Sequence, residues 1–150
     1  MGEARRTIIV HAYDDKYEPC EVGFSMSGYG VRNDQIRCDK DKAKGGMKKS
    51  QPHVVVFELA NRSSVDLQFP ENPDVAMWVS DDHSTCLDQQ PANPHPVIKA
   101  VSVSDDRQQL TVENLNSAKD NFKFVLNFER NDGKLCQYDP IWANQNGGQV

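Results

Sequence analysis

The stretch 121-NFKFVLNFER-130 puts Phe122, Phe124, Leu126 and Phe128 at every second position, with Lys123, Asn127 and Glu129 between them. Side chains in a strand alternate between two faces, so this spacing predicts a strand with one apolar and one polar face. Burying each large apolar side chain is worth roughly 1.5–3 kcal/mol before conformational entropy is charged. Residues 121–130 are therefore expected at the centre of the core. The turn that follows can be read as well. A two-residue Asp132-Gly133 loop would set Phe128 opposite Gln137. A three-residue loop, Asn131-Asp132-Gly133, sets Phe128 opposite Cys136 and Leu126 opposite Tyr138, and puts Gly133 where such a hairpin needs a left-handed residue. The second register keeps the apolar faces together, so it is the one expected.

Outward from this hairpin no segment keeps a helical period. Short β-branched and aromatic runs recur between clusters of Gly, Pro, Asn and Asp, and predict strands near 6–13, 21–27, 53–60, 65–69, 75–79, 97–104, 109–115 and 134–139. The 97–104 and 109–115 strands read as a hairpin pairing Val103 and Val101 with Leu110 and Val112. This pattern predicts an all-β fold, a two-sheet antiparallel β-sandwich of immunoglobulin-like type, as a single domain over residues 1–150. Its core is expected to hold Phe122, Phe124, Leu126, Phe128, Val55 and Phe57. Two long loops interrupt the strands, 33–51 and 81–96, and residues 40–49 are expected to be the most mobile internal segment.

The formal charge of −5 over 150 residues argues against nucleic acid as the main partner. The exception is local: Arg37, Lys40, Lys42, Lys44, Lys48 and Lys49 against Asp39 and Asp41 give +4, leaving −9 for the rest. A solvated loop is the ordinary reading of such a run, and an anionic partner is the functional one. Its Lys42, Lys44, Lys48 and Lys49 are interface candidates. The first fifteen residues hold no apolar stretch of signal-peptide length, and no segment approaches the ~18 apolar residues of a membrane span, so a cytoplasmic protein without a membrane partner is expected. Cys20, Cys38, Cys86 and Cys136 form no C-x-x-C pair and are expected as four free thiols, though an even count permits two disulfides elsewhere than in a reducing compartment.

Few residues carry a chemical signal. Asp81, Asp82 and His83, with His95 in the same loop, are candidate ligands for a divalent metal, but adjacent aspartates point apart and a solvated turn explains them as well. No cofactor and no catalytic metal are expected. Ser84 and His83 lack the G-x-S-x-G elbow that would mark a nucleophile. Gly28 and Gly30 lack the third glycine and the helix of a dinucleotide site. Trp78 is out of phase with Val75, Met77 and Val79, so it either faces the second side of its strand or is exposed.

Two Tyr-acid-Pro steps stand near the two ends, Tyr17-Glu18-Pro19 and Tyr138-Asp139-Pro140. Proline cannot donate to a sheet ladder, so both are expected to end strands, with the tyrosines packing just before them. Ile141 and Trp142 would be costly to leave in water. The tail is thus expected to fold back over an open edge or to enter a second subunit, with Tyr138, Ile141 and Trp142 as interface candidates. Together with "DPIWANQNGG" (139–148), the Glu18-Pro19 and Asp139-Pro140 steps resemble the DP-EP family of small bacterial proteins. That resemblance implies a bacterial source and no established activity, so it assigns no functional residue. The expectation is a non-catalytic module that binds itself or another protein. The alternative is a metal- or small-ligand-dependent enzyme using the 81–95 loop.

Overall fold

The computed structural model describes residues 4–28, 31–32, 35–38, 53–62, 64–80, 90–91, 95–115, 120–139 and 141–144. The chain is mostly β, in two sheets. The first sheet contains β1 (Ala4–Asp14), β2 (Val22–Ser27), β5 (His53–Asn61), β7 (Ile98–Val103) and β8 (Gln109–Asn114), in the order β2-β1-β5-β8-β7. The second contains β3 (Val31–Arg32), β4 (Gln35–Cys38), β6 (Met77–Ser80), β9 (Asp120–Glu129), β10 (Leu135–Tyr138) and β11 (Ile141–Asn144), in the order β10-β9-β11-β4-β3, with β6 also on β9. One helical turn, α1 (Pro73–Ala76), precedes β6.

β9 lies where its alternation requires. Phe124, Leu126 and Phe128 are fully buried, as are Val55 and Phe57 across the core. The side chains of both sheets meet in one hydrophobic cluster. Phe57 and Phe124 approach to 5.9 Å between ring centroids, and Phe128 contacts Phe24 at 5.2 Å and Phe69 at 4.9 Å. Such offset aromatic pairs add to the burial of their area. The side chain of Phe122 lies outside the described residues. The β9–β10 hairpin has the expected register, Phe128 opposite Cys136 and Leu126 opposite Tyr138. Its three-residue loop is closed by a bond from the Arg130 N–H to the Lys134 carbonyl (2.9 Å), with Gly133 at φ 86°.

Several expectations are corrected. The sheets are mixed rather than antiparallel throughout, because β1 pairs β5 and β4 pairs β11 in parallel. Parallel partners need a crossover, and here the chain visits the second sheet between β1 and β5; local alternation carries no trace of that. Residues 65–69 form no strand beyond an isolated bridge between Gln68 and Glu129. The carboxamide of Asn61 takes the place of a neighbouring strand there: its Oδ1 accepts from the Leu67 N–H and its Nδ2 donates to the Leu67 carbonyl, both at 3.1 Å. The Phe69 N–H bonds the Arg107 carbonyl and its own carbonyl accepts from Arg107 Nε, both at 2.8 Å, so Leu67 and Phe69 can be buried without a ladder. The strand expected over 75–79 starts only at Met77, because Asn72 caps the Asp74 N–H (2.9 Å) and Pro73 stands at the first position of a helical turn.

In the β7–β8 hairpin Val103 faces Leu110 as expected, but Val112 faces Ala100. A bulge between Ala100 and Ser102 turns Val101 outward. The turn is held by Asp106, whose carboxylate accepts from the Ser104 hydroxyl (2.6 Å) and the Gln108 N–H (3.1 Å), which lowers its pKa. β4 (Gln35–Cys38) lies inside 33–51, which was expected to be a loop throughout. The basic segment 40–49, with Lys42, Lys44, Lys48 and Lys49, lies outside the described residues, and so do Asp81, Asp82 and His83.

The largest correction concerns the cysteines. Cys20 and Cys136 form a disulfide, across a sequence separation of 116 and a Cα–Cα distance of 5.9 Å. Four free thiols are thus not what the fold contains. Cys20 follows β1 and Cys136 sits in β10, so the bond ties one sheet to the other. Spacing along the chain could not reveal the pair, since only packing of the two sheets brings it together.

Candidate functional site

Two clefts are lined by described residues. The first, about 140 Å³, opens between β6 at the border of one sheet and β7 at the border of the other. Among the described residues each strand pairs on one side only, β6 with β9 and β7 with β8. The cleft is lined by Met77, Trp78 and Val79 from β6, by Ile98 and Lys99 from β7, and by Asp74 and His95 at its rim. Its floor is apolar because Met77 and Ile98 belong to the buried cluster. Trp78 answers the question of its phase: it takes the face of β6 opposite Met77, yet it is 8% exposed. Its Nε1–H is buried, and among the described residues it has no hydrogen-bond partner. A buried donor left unpaired costs roughly 1–3 kcal/mol, so an acceptor brought to this atom would recover that energy.

His95 is the one candidate metal ligand among the described residues. Its Nδ1 accepts from the N–H groups of Val97 and Ile98, both at 3.1 Å. That nitrogen caps the start of β7 and is committed to the backbone. Among the described residues no three His, Cys, Asp or Glu side chains gather as a metal-ligand group. The alternation of 97–104 did not imply this cap.

The second cleft, about 300 Å³, lies beside the disulfide. Cys20, Glu21, Ser64, Asp66 and Arg130 line it, together with Asp14. Asp14 accepts from the Ser64 hydroxyl at 3.0 Å, and Arg130 donates through Nη1 to the Cys20 carbonyl at 3.3 Å. Cys20 and Glu21 have φ of 62° and 59°, a left-handed geometry that side chains adopt at a cost and that the disulfide and the Arg130 bond help to hold.

The C-terminal candidates are separated by the fold. Tyr138 is a core side chain, 7% exposed and stacked on Phe24 with centroids 5.4 Å apart. Ile141 and Trp142 belong to β11, where Trp142 is paired with Phe122 of β9 on one side and Ile36 of β4 on the other. Their side chains lie outside the described residues. Asp139, half exposed, pairs with the Lys123 ammonium at 3.3 Å. Among the described residues no helix is long and apolar enough to cross a membrane. No family model matches the chain, and no curated protein matches it.

Proposed function

We propose that the two sheets form an immunoglobulin-like sandwich and that the protein is a non-catalytic module binding another protein. The occupant is an extended segment of that partner, laid along the side where β6 and β7 present strand edges. One observation carries this reading. Two bordering strands flank a cleft lined by Trp78, whose buried N–H has no acceptor among the described residues. An added strand gains affinity from main-chain bonds and specificity from pockets for alternate side chains. A cleft of about 140 Å³ matches one side chain better than a drug-sized molecule. The apolar floor and the Trp78 donor ask for a side chain that ends in an acceptor, such as a glutamine.

Display of random peptides against the protein tests this. Enriched peptides should shift the amide signals of β6 and β7, and Trp78→Phe should remove them while the melting temperature stays near wild type. Peptides that map elsewhere, or that bind Trp78→Phe equally, would sink the reading. The metal- or small-ligand-dependent enzyme on the 81–95 loop remains the competing proposal, and elemental analysis of protein purified without chelators separates the two.

The DP-EP resemblance and its bacterial source belong to the same proposal, resting on Glu18-Pro19 and Asp139-Pro140. The disulfide favours an oxidising compartment over a cytoplasmic one. Alkylation of free thiols at lysis, followed by mass spectrometry of the Cys20 and Cys136 peptides, decides between them.

A further inference from the structure

On the outer face of the first sheet three polar side chains are linked in series. Arg62 Nη2 lies 2.8 Å from His11 Nδ1, and His11 Nε2 lies 2.9 Å from the Ser27 hydroxyl. The chemistry of the groups orders the protons. A guanidinium can only donate, so Nδ1 must accept, and the ring is neutral with its proton on Nε2. That proton points at Ser27, whose oxygen accepts it. The pair therefore runs opposite to a serine–histidine nucleophile, in which the hydroxyl donates to the ring. Ser27 is left with its own O–H to donate outward.

Arg62 is anchored from behind, since its backbone N–H bonds the Ala12 carbonyl at 2.8 Å. Among the described residues its side chain has no carboxylate partner, in a chain of net charge −5. All three side chains are on or near the surface. The carboxylates nearby are turned to other tasks or rows: Asp14 is bonded to Ser64, and Glu58 stands opposite Ile9 rather than His11. What faces solvent is thus a row of donors, the remaining guanidinium N–H groups and the Ser27 hydroxyl, held in place by the imidazole between them. Exposed Ile9 and Tyr13 flank His11 on the same strand face, and the Tyr13 ring rests against Gly23, where an added Cβ would come within 2.5 Å of it.

We propose that Arg62, held by the His11–Ser27 pair, forms a binding site for an oxyanion, a phosphoryl or carboxylate group, with Arg62 as the contact and His11 and Ser27 as the positioning residues. Guanidinium bonds to such groups are among the stronger polar contacts available to a protein surface.

The test follows the His11 ring signals by NMR during titration with inorganic phosphate and, separately, with acetate. Saturable shifts are expected, and the tighter probe identifies the group the site prefers. Arg62→Ala should weaken binding about ten-fold or more, and Ser27→Ala by a smaller factor. Arg5→Ala, on the same strand and outside the site, should leave it unchanged. The ring should be Nε2-protonated in the wild type, and its Nδ1 resonance should move in Arg62→Ala. A His11 ring that ignores both anions would overturn the proposal. So would equal losses in Arg5→Ala and Arg62→Ala, which would mean general attraction to positive charge. Melting curves of each variant separate loss of the site from loss of the fold.

Discussion

The same three-residue pattern occurs twice in this chain and does opposite things. At Tyr17-Glu18-Pro19 the strand has ended. Tyr17 is 85% exposed, the Glu18 N–H bonds the Asp15 carbonyl at 3.1 Å, and the chain coils through Pro19–Glu21 before β2 begins. At Tyr138-Asp139-Pro140 the first residue is in the core, and the strand resumes beyond the proline in the register it had before. Tyr138 pairs with Leu126 and Ile141 with Lys123, so equal steps along both chains separate the two pairs. Both steps interrupt a strand as expected, since β1 ends before the first and β10 ends at Tyr138, but the tyrosine packs against the core only at the second, and only there does pairing to the same neighbour resume. The difference lies in what stands opposite. β9 runs for ten residues and offers ladder positions on both sides of Pro140, whereas β1 and β2 turn back on themselves at residues 15–21. A proline forbids one bond. It does not forbid a strand that a long neighbour holds on each side.

The sharpest way to break this comparison is truncation. A chain ending at Pro140 lacks β11, which stands between β9 and β4, so β3 and β4 lose their only strand link to β9 among the described residues. Loss of cooperative thermal unfolding is expected in circular dichroism. A truncated protein that melts like the full chain would show that the tail is dispensable. Next come the two tyrosines. Tyr138→Ala should cost about 3–5 kcal/mol in urea denaturation, the range for large aromatic side chains in cores, while Tyr17→Ala should stay within about 0.5 kcal/mol. Similar costs for both would contradict the assignment of one to the core and the other to solvent.

The disulfide joins the neighbourhoods of the two steps. Cys136→Ser is expected to lower stability by about 2–5 kcal/mol, and Cys20→Ser with it should add little, because the single bond is already gone. Additive losses would mean that the thiols act separately. The smallest effect is expected at Asp139→Asn, which removes the half-exposed pair with Lys123 and should cost under about 1 kcal/mol. A large loss of stability there would give the acid a structural weight that its exposure does not support.

Much of the second sheet's centre was readable from residues 121–138, because alternation and turn length act over neighbours in the chain. The period of β9 selected its buried face, and the demand that apolar faces coincide selected a three-residue loop, which Gly133 then fits. Reading weakened where a segment's partner is remote. Gln35–Cys38 has little apolar content and becomes a strand because β11 lies beside it. Val65–Phe69 has a strand's composition and forms no more than the bridge of Gln68 to Glu129, because the Asn61 carboxamide satisfies Leu67. The candidate sites were less readable still. His95 was singled out for its imidazole, but its Nδ1 serves the start of β7, and nothing about Trp78 or Arg62 in isolation announced an unpaired donor or a guanidinium docked on a histidine.

The sequence by itself determined that this chain is built of strands, which side of β9 faces inward and how β9 turns into β10, since each of these follows from side-chain period and turn geometry within a dozen residues. Only the tertiary structure decided the parallel pairings, the continuation past Pro140, the Cys20–Cys136 bond and the Arg62–His11–Ser27 series. All four join residues that are distant in the chain or dependent on distant partners, and their energy exists only once the sheets have brought them together.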